Sequence, residues 1–220
     1  MRSCNKKTMF TGIIQSIGKI TDVAQLKDQN VLIIEAKNSI FDNLKKGASV
    51  SVDGICLTLE EHKNNRLSFK VMDETVKLTN LKFAKDNKAV NLEPAMKMGG
   101  SFDGHIVQGH IDAIGKTISI KQDKNQTVIK FSYPKEFAKH LALKGSIAIN
   151  GASLTISYLD RETFDVCLVE HTLKNTNLSK LKEDDIVNLE FDAISKYLES
   201  LLENKEGETK YAYLVERGFI

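Results

Sequence analysis

Two short runs hold the side chains best suited to chemistry. Cys56 and Thr58 stand two apart behind the turn Asp53-Gly54, and Ser153 and Thr155 stand two apart behind Asn150-Gly151. In a strand, residues two apart share a face and the one between them turns away. Each run therefore sets two hydrogen-bonding side chains side by side, with Leu57 or Leu154 anchoring the strand from behind. That is what the rim of a polar ligand site needs. A Thr-rich strand with a solvent face would explain one such run. Its recurrence, preceding glycine included, favours a ligand site.

The stretch Gly104-His105-Ile106-Val107-Gln108-Gly109-His110-Ile111-Asp112 adds two imidazoles. Five apart on a strand, they face opposite ways, which argues against a shared metal. His110 falls on Ile13 when the chain is shifted by 97 positions. That makes it an imidazole of the second half alone and a candidate for acid–base work or ligand contact. Glu74 and His171 precede Thr75 and Thr172, where one side chain could face a ligand. The segments starting at those threonines read otherwise as strand-to-loop transitions. Neither a Gly-x-Gly-x-x-Gly nor a Walker pattern occurs, nor a Gly-x-Ser-x-Gly elbow, so nucleotide-driven and serine-hydrolase chemistry have no motif.

The same 97-residue shift organises the whole chain. Gly12, Ile14, Ile17, Gly18 and Lys19 land on Gly109, Ile111, Ile114, Gly115 and Lys116. Thr75–Leu81 lands on Thr172–Leu178, and Val90-Asn91-Leu92-Glu93 on Val187-Asn188-Leu189-Glu190. A period this long exceeds a solenoid repeat and matches a complete small domain. Strand-like runs lie at 31–36, 48–52, 67–72 and 90–92, with counterparts at 127–131, 146–149, 164–169 and 187–191. One short helix per half is expected, at 39–46 with Ser39 as N-cap and at 134–144 with Pro134 near the first turn. Each half reads as a small closed β-barrel of about six strands, which leaves no free edges.

Ile194, Tyr197, Leu198, Leu201 and Leu202 recur at helical spacing and have no copy in the first half. The apolar stripe of this helix either packs on its own barrel or meets another helix in an oligomer. The tail 210–220 ends in apolar residues and is expected to dock. The division is then an extension at 1–8, barrels at 9–100 and 101–192, and a helix and tail at 193–220.

The 220 residues carry a net charge of +2, with lysines dispersed among nearly as many acids. That gives no footprint for nucleic acid. No apolar stretch approaches a membrane span, and the polar start has no signal-peptide run behind it. Three widely spaced cysteines fit a reduced, cytoplasmic protein.

Four motifs in order, together with the duplication, carry a family resemblance. Met9-Phe10-Thr11-Gly12-Ile13-Ile14, Gly-x-Cys-Leu-Thr, Gly-His-Ile-Val-Gln-Gly-His-Ile-Asp and Gly-x-Ser-Leu-Thr resemble riboflavin synthase of the α-chain type over about residues 9–205. The resemblance implies an all-β fold of two tandem six-stranded Greek-key barrels plus a C-terminal amphipathic helix. It implies dismutation of two molecules of 6,7-dimethyl-8-ribityllumazine, by transfer of a four-carbon unit, to riboflavin and 5-amino-6-ribitylamino-uracil. No metal or redox cofactor is implied. It further implies a homotrimer held by the C-terminal helix, with the active site between barrels of neighbouring subunits. Association with a lumazine synthase shell is a partner the pathway would allow.

Carried over residue by residue, the first barrel's site comprises Gly12, Ile13 and Ile14, then Cys56, Leu57 and Thr58, then Lys70, Val71, Met72, Asp73, Glu74 and Thr75. The second comprises Gly109, His110 and Ile111, Lys144, Ser153, Leu154 and Thr155, then Cys167, Leu168, Val169, Glu170, His171 and Thr172. Ser153, Thr155, His110 and Cys56 are the expected chemical groups, with Lys144 holding charge. The chain departs from the pattern where Asn150 replaces a common Asp and Asp53 a common Asn, which puts a charge near Ser153 in question. It departs again at Glu170, where Pro is frequent. A non-catalytic lumazine- or flavin-binding protein of the antenna type is the alternative, but it has no need of two complete sites. A flavin-dependent reductase would need a nicotinamide domain for which 220 residues leave no room.

Overall fold

The computed structural model describes residues 9–23, 26, 29–123, 126–203 and 217. Six strands form the first barrel: β1 (Ser16–Ile20), β2 (Val31–Glu35), β3 (Ser49–Val52), β4 (Ile55–Lys63), β5 (Arg66–Lys70) and β6 (Ala89–Pro94). Six more form the second: β7 (Ala113–Gln122), β8 (Thr127–Ser132), β9 (Ser146–Ile149), β10 (Ala152–Leu159), β11 (Thr163–Leu168) and β12 (Ile186–Phe191). Both close in the same order, β1-β2-β5-β4-β3-β6 and β7-β8-β11-β10-β9-β12, with every pair antiparallel.

Alternation makes the strands. Along β2, Leu32 and Ile34 are fully buried while their neighbours are half-exposed, and Ile129 and Phe131 do the same on β8. Phe41 and Phe69 fill the first barrel, and Phe131, Phe164 and Phe191 the second. Asp53-Gly54 and Asn150-Gly151 each put two consecutive residues at positive φ, the conformation a two-residue hairpin requires.

The helices differ from the sequence expectation. Residues 39–46 yield only a 3-10 turn, Ser39–Phe41, and its cap is Asn38, whose side chain accepts from the Ile40 N–H. Pro134 lies outside its 3-10 helix, Lys135–His140, in an extended conformation. The supposed strand-to-loop transitions are helical: α1 (Asp73–Leu78) and α2 (Glu170–Asn175), each followed by a 3-10 turn. One threonine explains both. Thr79 donates to the Thr75 carbonyl and accepts from the Leu81 N–H, ending one helix and capping the next, and Thr176 does the same between Thr172 and Leu178.

A buried polar network joins the barrels about a pseudo-twofold axis. The Asn91 and Asn188 N–H groups donate to the Asp53 and Asn150 side chains at 2.7 and 2.8 Å. Their own amides cross over, Asn91 to the Asn150 carbonyl and Asn188 to the Asp53 carbonyl. Asn80 and Asn177 complete the set, each donating its N–H to the asparagine of the other half. Asp53 and Asn150 therefore serve this axis, and the departure at Asn150 is no loss of a carboxylate beside Ser153.

The C-terminal helix α3 (Ala193–Glu203) resolves the question of its stripe. Its polar side docks on its own barrel, with the Lys196 ammonium 2.8 Å from Asp112 and Glu199 against Lys139 and His140. Its apolar side faces outward. The first eight residues and the tail 210–220, Arg217 apart, lie outside the described residues. Among the described residues no helix is long and apolar enough to cross a membrane.

Candidate functional site

Both runs lie on strands, β4 and β10. On β4, Cys56 is half-buried, Leu57 buried and Thr58 exposed; on β10, Ser153 and Leu154 are half-buried and Thr155 exposed. Leu59 pairs with Phe69 and Ile156 with Val166, registers that lead at the strand ends from Thr58 to Lys70 and from Thr155 to Cys167. Lys70, Val71, Met72, Asp73 and Glu74 then line a shallow depression of about 590 Å³ with Asn30. Thr75 and Thr172 are half-buried at the start of their helices, Val71 and Leu168 are buried, and Val169, Glu170 and His171 are exposed. Lys144 is exposed, with φ at +68° and its N–H donated to the Ile156 carbonyl, beside β10.

The segments before each barrel do not stay with it. The Ser153 N–H donates to the Gly12 carbonyl at 2.8 Å, and the Cys56 N–H to the Gly109 carbonyl at 2.9 Å. Ile14 packs on the second barrel's core and Ile111 on the first's. Phe10 and Val107 pair antiparallel where the two segments cross. Grouping the site by sequence halves is thereby corrected: Gly12, Ile13 and Ile14 belong with Ser153, and Gly109, His110 and Ile111 with Cys56. Glycine is required at both crossings. Gly12 and Gly109 have φ of +76° and +81°, and a Cβ would come within 2.6 Å of the Ser153 Cβ or 2.5 Å of the Cys56 Cβ.

Two buried carboxylates hold the crossing segments. Glu93 accepts from the N–H groups of Thr11 and Gly12 and from the Thr11 hydroxyl, while Glu190 accepts from the N–H groups of Gln108 and Gly109. The two rims differ in polar partners. His105 is buried, with Nδ1 2.7 Å from the Ser153 Oγ. Burial pushes the Cys56 thiol up, and Glu190 adds to the shift, so Cys56 stays a neutral thiol at neutral pH.

Residues 11–95 and 108–192 each match the lumazine binding domain, two matches offset by the repeat length. Riboflavin synthase of Actinobacillus pleuropneumoniae is 40% identical over 91% of this chain and 93% of its own length. The chain belongs to the riboflavin synthase family. The family's Bacillus subtilis (strain 168) member is 37% identical over 96% of this chain and all of its own. Fold likeness extends to crystal structures of LumP complexed with 6,7-dimethyl-8-(1'-D-ribityl) lumazine and with riboflavin, at TM-scores of 0.74 and 0.75. Both cover 83% of this chain and 99% of LumP at 22–23% identity.

Within this family frame, several site residues escaped the sequence reading. His110 is exposed, and the imidazole beside Ser153 belongs to His105. The motif offered both histidines, and only the fold separates them. Glu93 and Glu190 stood in plain view as repeated motif ends. Their signal was the same acid closing the repeated Val-Asn-Leu-Glu run in both copies, a position that burial makes costly without partners.

Burial pushes Glu190 up to about 7 from 4.5, against the pull of the Gln108 and Gly109 N–H groups and the Lys196 ammonium. The folded chain thus keeps a proton that the unfolded chain gives up near pH 4.5. Stability therefore falls as pH rises from about 4.5 to about 7 and levels off above, by at most about 3 kcal/mol from this residue. Asp53 and Glu93, also raised by burial, act in the same direction. Glu190→Gln should lose one N–H acceptor and flatten the fall in urea midpoint between pH 5 and pH 8. An unchanged slope would assign the pH dependence elsewhere.

Proposed function

We propose that this protein is a transferase that dismutates two molecules of 6,7-dimethyl-8-ribityllumazine into riboflavin and 5-amino-6-ribitylamino-uracil. One lumazine loses a proton from its 7-methyl group, where the resulting charge spreads into the ring. The carbanion attacks the second lumazine, and a four-carbon unit passes across. A reaction between two like molecules calls for two like sites, and holding both reactants in place removes much of the entropic barrier. The observation that carries this reading is the pair of equivalent rims with unlike equipment: the Cys56 thiol in one, the Ser153–His105 pair in the other.

The rims are open to solvent in the single chain, with Ile13, Thr58, His110, Thr155 and Cys167 exposed. We infer that a neighbouring copy closes them, in a homotrimer assembled through α3. Cys56 and Cys167 are free thiols, which suits a reducing cytoplasm. The test is to mix the purified protein with 6,7-dimethyl-8-ribityllumazine and no cofactor. Riboflavin and 5-amino-6-ribitylamino-uracil should form in equal amounts. Tight binding without turnover would replace the enzyme with an antenna-type binder.

A further inference from the structure

We infer that His105 is a positioning residue that donates its Nδ1–H to the Ser153 Oγ, leaving the Ser153 hydroxyl hydrogen free to donate to bound lumazine. This rests on the dismutase reading for its consequence, while the imidazole–hydroxyl pair itself rests on geometry alone.

The pair is tightly built. Nδ1 and Oγ are 2.7 Å apart, and the His105 N–H donates to the Thr11 carbonyl at 3.2 Å, which fixes the ring's backbone against the crossing segment. Gly104 permits that approach, since a Cβ there would lie 1.9 Å from the Thr11 carbonyl oxygen and 3.1 Å from the Ser153 Cβ. The Ser153 N–H is already committed to Gly12. Only the hydroxyl remains to be oriented.

The other ring nitrogen decides the proton's place. The His105 Nε2 is buried and has no hydrogen-bond partner among the described residues. Burial also lowers the ring's proton affinity below its ordinary value, outweighing the opposing field of Asp192, so the ring is neutral and carries one N–H. Placed on Nε2, that N–H would be a buried donor without an acceptor, the arrangement proteins most consistently avoid. Placed on Nδ1, it donates to Oγ and leaves only an unshared lone pair inside. The Ser153 Oγ then accepts from the imidazole and keeps its own hydrogen.

The chemical consequence is a role for Ser153. A hydroxyl that already accepts from His105 serves as a donor, stabilising charge that develops on the oxygen and nitrogen atoms of the bound ring. It does not take up the 7-methyl proton. The other rim has Cys56 at the equivalent place, where the partner is the Ser49 side chain and no imidazole meets the thiol among the described residues.

His105→Asn tests the idea, because an asparagine amide can place an N–H close to where Nδ1 stood. His105→Leu removes the donor. We expect His105→Asn to keep kcat within about threefold and His105→Leu to lower it by about 10- to 100-fold with KM little changed, as for loss of one preorganised donor. In a Ser153→Ala background, exchanging Asn for Leu at position 105 should change kcat less than twofold. Nitrogen NMR of the histidine-labelled wild-type chain should show a protonated Nδ1 and an unprotonated Nε2 for His105. A protonated Nε2, or equal losses in the folded Asn and Leu variants, would overturn the assignment. Failure of the wild-type chain to form riboflavin would instead remove the dismutase reading and leave the NMR result standing.

Discussion

Leu198→Glu combined with Leu201→Glu should leave a folded chain that elutes as a monomer and forms riboflavin at less than about a hundredth of the wild-type rate. Ile194, Tyr197, Leu198 and Leu201 fall on one side of α3 and expose 58%, 61%, 55% and 64% of their surface. Large side chains at this spacing seldom face water in a contiguous stripe unless another surface covers them. Two features support the proposal that the stripe is an interface between copies. The helix is already fixed by its polar side through Lys196 to Asp112 and Glu199 to His140, so its apolar side is free for a partner. The rims proposed to bind lumazine are also open in the single chain. Burying such side chains is worth roughly 2 kcal/mol each, enough over three copies to hold an oligomer at micromolar concentration. Two buried glutamates would reverse that term, while the barrel cores and the polar anchors stay intact. Unchanged elution of the variant, or a fully active monomer, would refute both the trimer and the intersubunit site.

The barrels were legible because alternation and duplication are local signals that the sequence repeats. Leu32 and Ile34, or Ile129 and Phe131, announce a strand face whatever lies around them. The Thr79 and Thr176 hinges were less legible. The propensity of Thr-x-Lys-x-Thr-Asn-Leu is indifferent, and the helix there depends on a hydroxyl that caps forward while donating backward. The crossing of the two leading segments was not legible at all. Nothing in Gly12 or Gly109 states which barrel will receive its carbonyl. Position in the chain puts each with the wrong half, and the exchange is settled by contacts distant in sequence, Ser153 to Gly12 and Cys56 to Gly109. His105 was hidden for the same reason, since its value comes from Ser153, 48 residues away.

The pseudo-twofold axis supports a prediction of comparable size for stability. Asn80 Nδ2 lies 3.0 Å from an Asp53 carboxylate oxygen and 3.2 Å from the Asn150 amide oxygen, so the two side chains meet at the axis as one acid and one amide. Asn177 donates to Asp53 at 2.8 Å, and the Asn150 amide points to the Asn177 oxygen. Every donor there finds an acceptor because Asp53 accepts from three N–H groups, those of the Asn91 backbone and the Asn80 and Asn177 amides, while Asn150 both accepts and donates. Asn150→Asp would set two carboxylates together in a buried site and take away the donor to Asn177. It should destabilise the chain at pH 8 by about 3–5 kcal/mol, the range for an uncompensated buried charge. Like charges raise the proton affinity of one member, so the loss should shrink as pH falls toward 5, more steeply than in the wild type. Asp53→Asn removes the only acid of the pair and should cost less, about 1–3 kcal/mol, at all pH values above the carboxylate's own titration. Exchanging both, Asp53→Asn with Asn150→Asp, restores one acid and one amide and should recover most of what Asn150→Asp loses. It should not recover all. Lys88 lends favourable charge to Asp53, whereas the repeat places Asp185 at the equivalent position of the second half. Urea unfolding of the three variants at pH 5 and pH 8 measures each term. An exchange variant no more stable than Asn150→Asp would mean that the axis recognises each half by shape, and that its charge count is incidental.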